Sequence, residues 1–89
     1  MNPGVIVFVM DGCPACEQYL PRLHDKAREH GIKLNVYNVE DRRGSAIADD
    51  HRVRATPTTI GRNSRGALKR KVGAMENADL DKFLSGLLS

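Results

Sequence analysis

The sequence predicts an α/β fold in which four strands form one mixed sheet and three helices flank it, in the order β-α-β-α-β-β-α. Three observations lead to this prediction: a run of six apolar residues at 5–10, a helical apolar stripe that follows it, and a second stripe near the C-terminus. The length of 89 residues suffices for one domain and not for two. We therefore expect residues 1–89 to form a single domain with a small core.

The first strand is expected at residues 5–10, with the sequence VIVFVM. A short apolar run rich in β-branched residues is typical of a central strand that is buried on both faces. Gly4 precedes the run and Asp11-Gly12 follows it, so both ends carry residues that break strands.

The first helix is expected to begin near Pro14, because proline is favoured in the first turn of a helix, and to end at Gly31. Pro21 lies inside this helix and should bend it. Apolar residues recur at the spacing of an amphipathic helix at Cys16, Leu20, Leu23 and Ala27.

The second strand is expected at residues 34–39 and should run parallel to the first, through a right-handed crossover. A weaker, polar helix is expected at residues 44–52, around Ile47. Strands at 58–61 and 67–72 are separated by the turn sequence Asn63-Ser64-Arg65-Gly66, which predicts an antiparallel hairpin.

The last helix is the clearest element of the sequence. Asn77 is its expected cap, and Asp79 and Asp81 favour the positive end of its dipole. Its apolar stripe is Leu80, Phe83, Leu84, Leu87 and Leu88. With this helix in place, the sheet is expected to be covered on both faces.

The basic residues are concentrated in one part of the chain. Net charge is +3, but residues 42–71 alone carry nine Lys or Arg and two Asp or Glu. The simplest interpretation is a solvated face, and the alternatives are an acidic partner protein or incidental affinity for nucleic acid. Aromatic residues are sparse and Trp is absent, so surfaces for base stacking are poorly supplied, and we expect no specific nucleic-acid partner.

Targeting signals are not evident. No apolar run approaches the roughly 20 residues that a helix needs to cross a bilayer. The N-terminus has no basic region and no small-residue cleavage site after the apolar run. We therefore expect a cytoplasmic protein that does not associate with membranes.

The only two cysteines of the chain form a CxxC motif, Cys13-Pro14-Ala15-Cys16. The motif joins a predicted buried strand to the start of a predicted helix inside a βαβ unit. Free backbone N–H groups and the positive dipole end of that helix would stabilise a thiolate at Cys13 and make it a nucleophile near neutral pH. Cys16, one turn further on, could attack a mixed disulfide formed on Cys13.

Two other interpretations of the cysteine pair carry less weight. A purely structural disulfide would gain little, because closing so short a loop removes little chain entropy. A zinc site needs four ligands around one ion. His24 and His30 lie about 12 and 21 Å along the same helix from Cys16, so they could not converge with it on one ion. We expect no metal, and we interpret His24, His30 and His51 as surface residues.

With these features, the chain resembles thioredoxins and glutaredoxins over nearly its whole length. The CPAC motif after the apolar strand is one part of the resemblance, and Pro21 resembles the helix-kinking proline of thioredoxins. The stretch Ala55-Thr56-Pro57-Thr58 resembles the loop whose proline is cis in this family. The stretch Lys71-Val72-Gly73-Ala74, followed by Leu80 through Leu84, is similar to the C-terminal part of thioredoxins. The resemblance implies a thioredoxin-like fold and a thiol–disulfide oxidoreductase.

The family resemblance also implies roles for individual residues. Cys13 and Cys16 would be catalytic, and Pro57 would be cis. Thr56 would offer its backbone N–H and C=O to an extended substrate strand beside Cys13, and Gly73 would let the substrate backbone approach. The expected substrate-binding residues are Gly12, Pro14, Thr56, Pro57, Val72, Gly73 and Ala74. No cofactor is expected.

Two electron donors are compatible with this resemblance. Glutaredoxins bind glutathione through a basic residue before the first cysteine and a Gly-Gly pair near the C-terminus. Here Met10 and Asp11 precede the motif and a single glycine, Gly73, stands at the second place. Because the Asp11 carboxylate would repel glutathione, we favour a monomeric reductase of protein disulfides that is recharged by a flavoprotein thioredoxin reductase. The glutathione-dependent glutaredoxin stays the alternative.

A third hypothesis is a non-catalytic binding or scaffold module on the same fold, in which the basic segment 42–71 docks an acidic partner. Replacing both cysteines by serine distinguishes it from an enzyme, because a scaffold would keep its function and a reductase would lose it.

Overall fold

The computed structural model describes residues 2–89 and contains four strands and three helices in the predicted order. The elements are β1 (Gly4–Val9), α1 (Pro14–Glu29), β2 (Lys33–Asn38), α2 (Arg42–Asp50), β3 (Thr58–Arg62), β4 (Leu68–Val72) and α3 (Asn77–Leu87). The expected α/β fold with a four-stranded mixed sheet is confirmed. Most boundaries differ from the predicted ones by one or two residues.

The sheet has the strand order β2-β1-β3-β4. Strand β1 pairs in parallel with β2 and antiparallel with β3, and β3 forms the expected antiparallel hairpin with β4. Val7 and Phe8 in β1 are fully buried on opposite faces, as expected for a central strand. Met10 was expected in this strand, but the strand ends at Val9 and Met10 is 41% exposed in the loop that follows.

Helices α1 and α3 cover one face of the sheet and enclose the larger part of the core. On α1 the stripe is Cys16, Tyr19, Leu23 and Ala27, with Leu20 only partly buried. The predicted stripe contains Leu20 in place of Tyr19, and this part of the prediction is wrong. Tyr19 can be fully buried because its hydroxyl shares a 2.9 Å hydrogen bond with Thr59 Oγ1 of β3, so neither polar atom is left unpaired in the core.

Removing the hydroxyl of Tyr19 should destabilise the fold, because the buried hydroxyl of Thr59 is then left without a hydrogen-bond partner. We expect Tyr19→Phe to lower the free energy of unfolding by about 1 to 2 kcal/mol, because the buried Thr59 hydroxyl loses its partner. Urea unfolding measures this loss. The double variant Tyr19→Phe/Thr59→Val should cost less than the sum of the two single changes, since it removes both polar groups. Strictly additive losses would contradict a hydrogen bond between these side chains.

Helix α3 packs its stripe against β3 and α1, but its ends differ from the prediction. Leu88 lies beyond the last turn and is 49% exposed, so it does not belong to the buried stripe. The N-cap is Glu76 rather than Asn77, which is the first helical residue. Gly61 of β3 lies beneath the helix, where a Cβ atom would come within 2.9 Å of Leu87 and Phe83. A glycine at this position lets the helix approach the sheet closely.

A surface cluster of charged residues joins the end of α1 to α3. Asp81 Oδ1 lies 3.0 Å from Nε2 of His30, and Lys26 Nζ donates to Asp81 Oδ2 at 3.1 Å. His30, which we expected to be a simple surface residue, is thus partly buried in this contact. The hydrogen bond with His30, followed by that from Lys26, holds the pKa of Asp81 below its usual value of 3.8.

The Asp81 cluster should stabilise the protein in a pH-dependent way. Because the pKa of Asp81 is lower in the folded chain than in the unfolded chain, its contribution is present above pH 3.8 and is lost as the pH falls through the folded value. We expect the difference in unfolding free energy between wild type and Asp81→Asn to shrink as urea titrations move from about pH 5 to pH 2. The control is the same comparison in a Lys26→Gln/His30→Gln background, which lacks both partners of Asp81 and should show a much smaller change with pH. A flat profile for Asp81→Asn would contradict the assignment.

Helix α2 lies alone on the opposite face of the sheet and covers a second, smaller core of Phe8, Ala48 and Ile60. The Phe8 ring stacks on Tyr37 at 5.9 Å between centroids and also faces the imidazole of His51 at 5.9 Å. His51 is therefore partly buried against the sheet and is not a simple surface residue. The helix begins at Arg42, two residues earlier than predicted, with Asp41 as its N-cap.

No helix within residues 2–89 is long and apolar enough to cross a membrane.

Candidate active site

Cys13 is the N-cap residue of α1. Its backbone is extended, its Sγ accepts a 3.2 Å hydrogen bond from the backbone N–H of Cys16, and its carbonyl accepts one from Glu17 N at 3.1 Å. Pro14 occupies the first helical position, where a missing N–H costs no hydrogen bond. The sulfur of Cys13 thus lies at the positive end of a 16-residue helix dipole.

Cys16 lies one turn along the same helix and is joined to Cys13 by a disulfide, with 5.2 Å between the two Cα atoms. The two sulfurs differ in environment: Cys16 is buried in the larger core, whereas Cys13 is partly exposed at the edge of it. Only Cys13 can be reached by a reagent from solvent without moving the helix. This asymmetry is what a dithiol needs if one sulfur attacks a substrate and the other resolves the product.

The loop before β3 comes next to the disulfide. The Thr56–Pro57 peptide bond is cis, and Pro57 is buried. Cys13 Sγ lies 3.8 Å from the carbonyl oxygen of Thr56, and the Thr56 hydroxyl lies 3.7 Å from the same sulfur with the geometry of a donor. The Thr58 hydroxyl donates to the Ala55 carbonyl at 2.7 Å and holds the loop in this shape.

The segment after β4 lies beside this loop. Gly73 N donates to the carbonyl of Pro57 at 2.8 Å, and Gly73 has a φ of +92°, which favours glycine. Val72 is 59% exposed and Ala74 is exposed, so both offer apolar surface to a bound chain. The structure therefore brings Thr56, Pro57 and Gly73 together. Their roles in substrate binding stay predictions.

Hydrogen bonds from the end of β2 hold the loop that precedes Cys13. Asn38 Nδ2 donates to Asp11 Oδ1 at 3.0 Å, and the backbone N–H of Asp11 donates to Glu40 Oε1 at 2.9 Å. Gly12 is exposed, and its φ of +70° gives the turn that leads into the helix. The carboxylates of Asp11 and Glu40 make this rim of the site acidic.

Two groups of this site were not found from the sequence. The contact of the Thr56 hydroxyl with Cys13 Sγ is not part of the sequence prediction, which concerns the Thr56 backbone; a hydroxyl next to the proline of that loop is the signal that could have indicated it. The pairing of Asp11 with Asn38 and Glu40 joins residues 27 to 29 positions apart, and local sequence patterns do not reveal it. In the described range 2–89, no three His, Cys, Asp or Glu side chains are grouped so that they could hold a metal ion.

Fold and site together define a protein of the thioredoxin-fold class with a CxxC disulfide. The model of the thioredoxin family matches residues 1–86, and the chain therefore belongs to the thioredoxin family. The suspected family resemblance is confirmed. A search of the curated proteins found no match.

Solved structures with the same fold share little sequence with this chain. A Fasciola hepatica thioredoxin has a TM-score of 0.84 and 19% identity, covering 98% of this chain and 82% of its own. The protein dsbF from MTB, solved in mixed oxidized and reduced forms, has a TM-score of 0.84 and 15% identity over 98% of this chain and 81% of its own. Mitochondrial thioredoxin 3 from Saccharomyces cerevisiae, in its oxidized form, has a TM-score of 0.80 and 23% identity over 96% and 78%. These similarities establish the fold.

Proposed function

We propose that this protein is a thiol–disulfide oxidoreductase that reduces disulfides of other proteins through Cys13 and Cys16. One observation carries the proposal: Cys13 Sγ is partly exposed, accepts a hydrogen bond from a free backbone N–H at the start of α1, and lies beside the Thr56 loop. A negative charge on this sulfur is stabilised by the N–H group and the helix dipole. A thiolate of this kind is the nucleophile of disulfide exchange.

In the proposed reaction, the Cys13 thiolate of the reduced protein attacks one sulfur of a substrate disulfide. The substrate disulfide breaks, one substrate sulfur leaves as a thiolate, and a mixed disulfide forms between the other and Cys13. The Cys16 thiolate then attacks Cys13 Sγ and releases the second substrate sulfur. Two electrons and, in total, two protons have passed to the substrate, and the protein is left with the Cys13–Cys16 disulfide.

A substrate chain would bind in extended form along the Thr56 loop. A cleft of about 190 Å³ opens beside this loop, and its lining is mixed: Met10, Val39 and Val53 are apolar, whereas Asp49 and Arg54 are charged. Backbone hydrogen bonds to Thr56 would supply affinity that does not depend on sequence. The cleft would take one substrate side chain, and the exposed Val72 would contact the substrate chain on its other side.

For the electron donor, we favour a flavoprotein thioredoxin reductase over glutathione. Glutathione carries two carboxylates, and the carboxylates of Asp11 and Glu40 both belong to the hydrogen-bonded loop that leads into Cys13. Because like charges repel, these carboxylates would weaken the binding of glutathione, which basic side chains would favour.

The experiment is insulin reduction, followed by NADPH consumption, with two reducing systems in parallel. One contains NADPH and a thioredoxin reductase, and the other contains NADPH, glutathione and glutathione reductase. We expect turnover with the first system only. Turnover with the second system alone would overturn the proposed donor in favour of a glutaredoxin activity, and turnover with neither, even after reduction by dithiothreitol, would favour the scaffold hypothesis.

A further inference from the structure

The two faces of the sheet are covered unequally. Helices α1 and α3, with 16 and 11 residues, share one face, whereas α2, with 9 residues, lies alone on the other. A helix is about 10 Å across with its side chains, and four strands about 4.8 Å apart make a face nearly 20 Å wide. One helix therefore leaves about half of its face uncovered.

The uncovered half forms an open trough of about 640 Å³, which we call the basal groove. It crosses all four strands and lies next to the C-terminal end of α2, where His51 is the C-cap. Its principal lining residues are Gly4, Ile6, Lys33, His51, Arg62 and Leu68. Leu68 is 59% exposed and Ile6 is partly exposed, so the floor offers apolar surface that nothing in residues 2–89 covers.

The charged side chains that line the basal groove are all basic. Lys33 and Arg62 line it together with His51, and none of the residues found to line it is Asp or Glu. The Arg62 guanidinium donates to the Asn2 carbonyl at 3.2 Å and lies beside Gly4. Arg70 on the neighbouring strand shares this face, because it pairs with Ile60, and its guanidinium donates to the carbonyl of His51.

We propose that the basal groove docks an acidic, amphipathic helix of a partner protein. Apolar side chains of the helix would cover Ile6 and Leu68, and its carboxylates would pair with Lys33 and Arg62. A helix matches the width that α2 leaves open, and the cations select negative charge. A nucleic acid fits less well because the floor is aliphatic and no Phe, Tyr or Trp is among the lining residues.

The basal groove is separate from the disulfide. Gly4 and Lys33 are the first residues of β1 and β2, whereas Cys13 follows the other end of β1. Six strand residues at about 3.3 Å each put roughly 17 to 20 Å between the two sites. A partner in the basal groove would therefore leave Cys13 free to react, and Arg62 of the basic segment 42–71 would have a role that disulfide exchange does not explain.

The test uses a synthetic, fluorescently labelled peptide of about 18 residues with leucines on one helical face and glutamates on the rest, which suffices for five turns. Its controls are the same composition in scrambled order and a version with lysine for every glutamate. Fluorescence anisotropy gives the affinities, and amide chemical shifts of the ¹⁵N-labelled protein give the location. We expect saturable binding of the acidic helix with shifts at Ile6, Lys33, Arg62 and Leu68, at least tenfold weaker binding of both controls, and a loss of affinity with added salt.

Charge reversal in the basal groove provides the second readout. Lys33→Glu/Arg62→Glu should weaken binding of the acidic peptide at least tenfold and leave reduction of insulin with dithiothreitol unchanged. The matched control is Arg28→Glu/Arg65→Glu, which makes the same change in net charge outside the groove and should alter affinity less than twofold. Thermal unfolding of both variants verifies that they are folded.

Several results would overturn the proposal. These are no saturable binding, equal binding of the scrambled peptide, or shifts centred on the loop around Cys13. Tighter binding of a 12-nucleotide single-stranded DNA at the same residues would assign the groove to nucleic acid. Concentration-dependent shifts at these residues without peptide would assign it to a second copy of this chain.

Discussion

Cys13→Ser is expected to abolish insulin reduction, down to the rate of the reducing system without the protein. Serine keeps the N-cap hydrogen bond to the backbone of Cys16 but cannot form a disulfide, so the fold should persist while the reaction cannot start. Cys16→Ser should behave differently. Cys13 can still attack, but the mixed disulfide has no resolving sulfur, so a covalent complex with the substrate should accumulate.

The covalent complex is measured by intact mass and by non-reducing gel electrophoresis. A mixed disulfide should appear with Cys16→Ser and be absent with Cys13→Ser. Pro14→Ala serves as the control in the same motif, since it leaves both sulfurs in place and should still turn over. If Cys16→Ser reacted no faster than free cysteine, or if the complex formed through Cys16 in Cys13→Ser, the assignment of the two roles would be wrong.

Among the glycine-to-alanine substitutions in this chain, Gly44→Ala is expected to lower the free energy of unfolding most. Gly44 lies in the first turn of α2, where an added Cβ would overlap the backbone carbonyl of Asn38 at the end of β2. A flexible side chain could move aside, but a strand end that pairs in the sheet cannot. We expect a loss of about 3 kcal/mol or more in the free energy of unfolding.

Gly86→Ala is the matched control for this substitution. Gly86 is also helical, but the Cβ there would meet only the Nζ of Lys69, 2.9 Å away at the end of a flexible side chain. The gain in helix propensity of up to about 1 kcal/mol should then leave the protein as stable as wild type or more so. Equal urea midpoints for Gly44→Ala and wild type would contradict the close packing of α2 on β2.

The sequence was sufficient for the order of the elements because each had a local signal. The apolar run of β1, the stripe of α3 and the turn around Asn63 are patterns within a few residues, and the structure follows them. The misplaced details depend on tertiary contacts. Tyr19 lies in the core because Thr59, 40 residues away, satisfies its hydroxyl, and Leu88 stays outside because α3 ends at Leu87 and Leu88 is its C-cap.

The part of the candidate site that lies within one sequence motif could also be predicted from the sequence. Cys13 and Cys16 could be singled out from spacing and context alone, and the family resemblance led to Thr56 and Pro57. The acidic rim and the basal groove could not be derived in this way. The first needs the register between β1 and β2, and the second needs the knowledge that α2 is too short to cover its face.

The reactivity of Cys13 tests the central claim most directly. In the reduced protein, the rate of alkylation by iodoacetamide should be followed against pH, with Cys16→Ser used so that only one thiol reacts. The claim predicts an apparent pKa for Cys13 well below the value of about 8.5 for a free thiol, and fast alkylation at neutral pH. An apparent pKa at or above the free-thiol value, with a rate no higher than that of free cysteine, would contradict it.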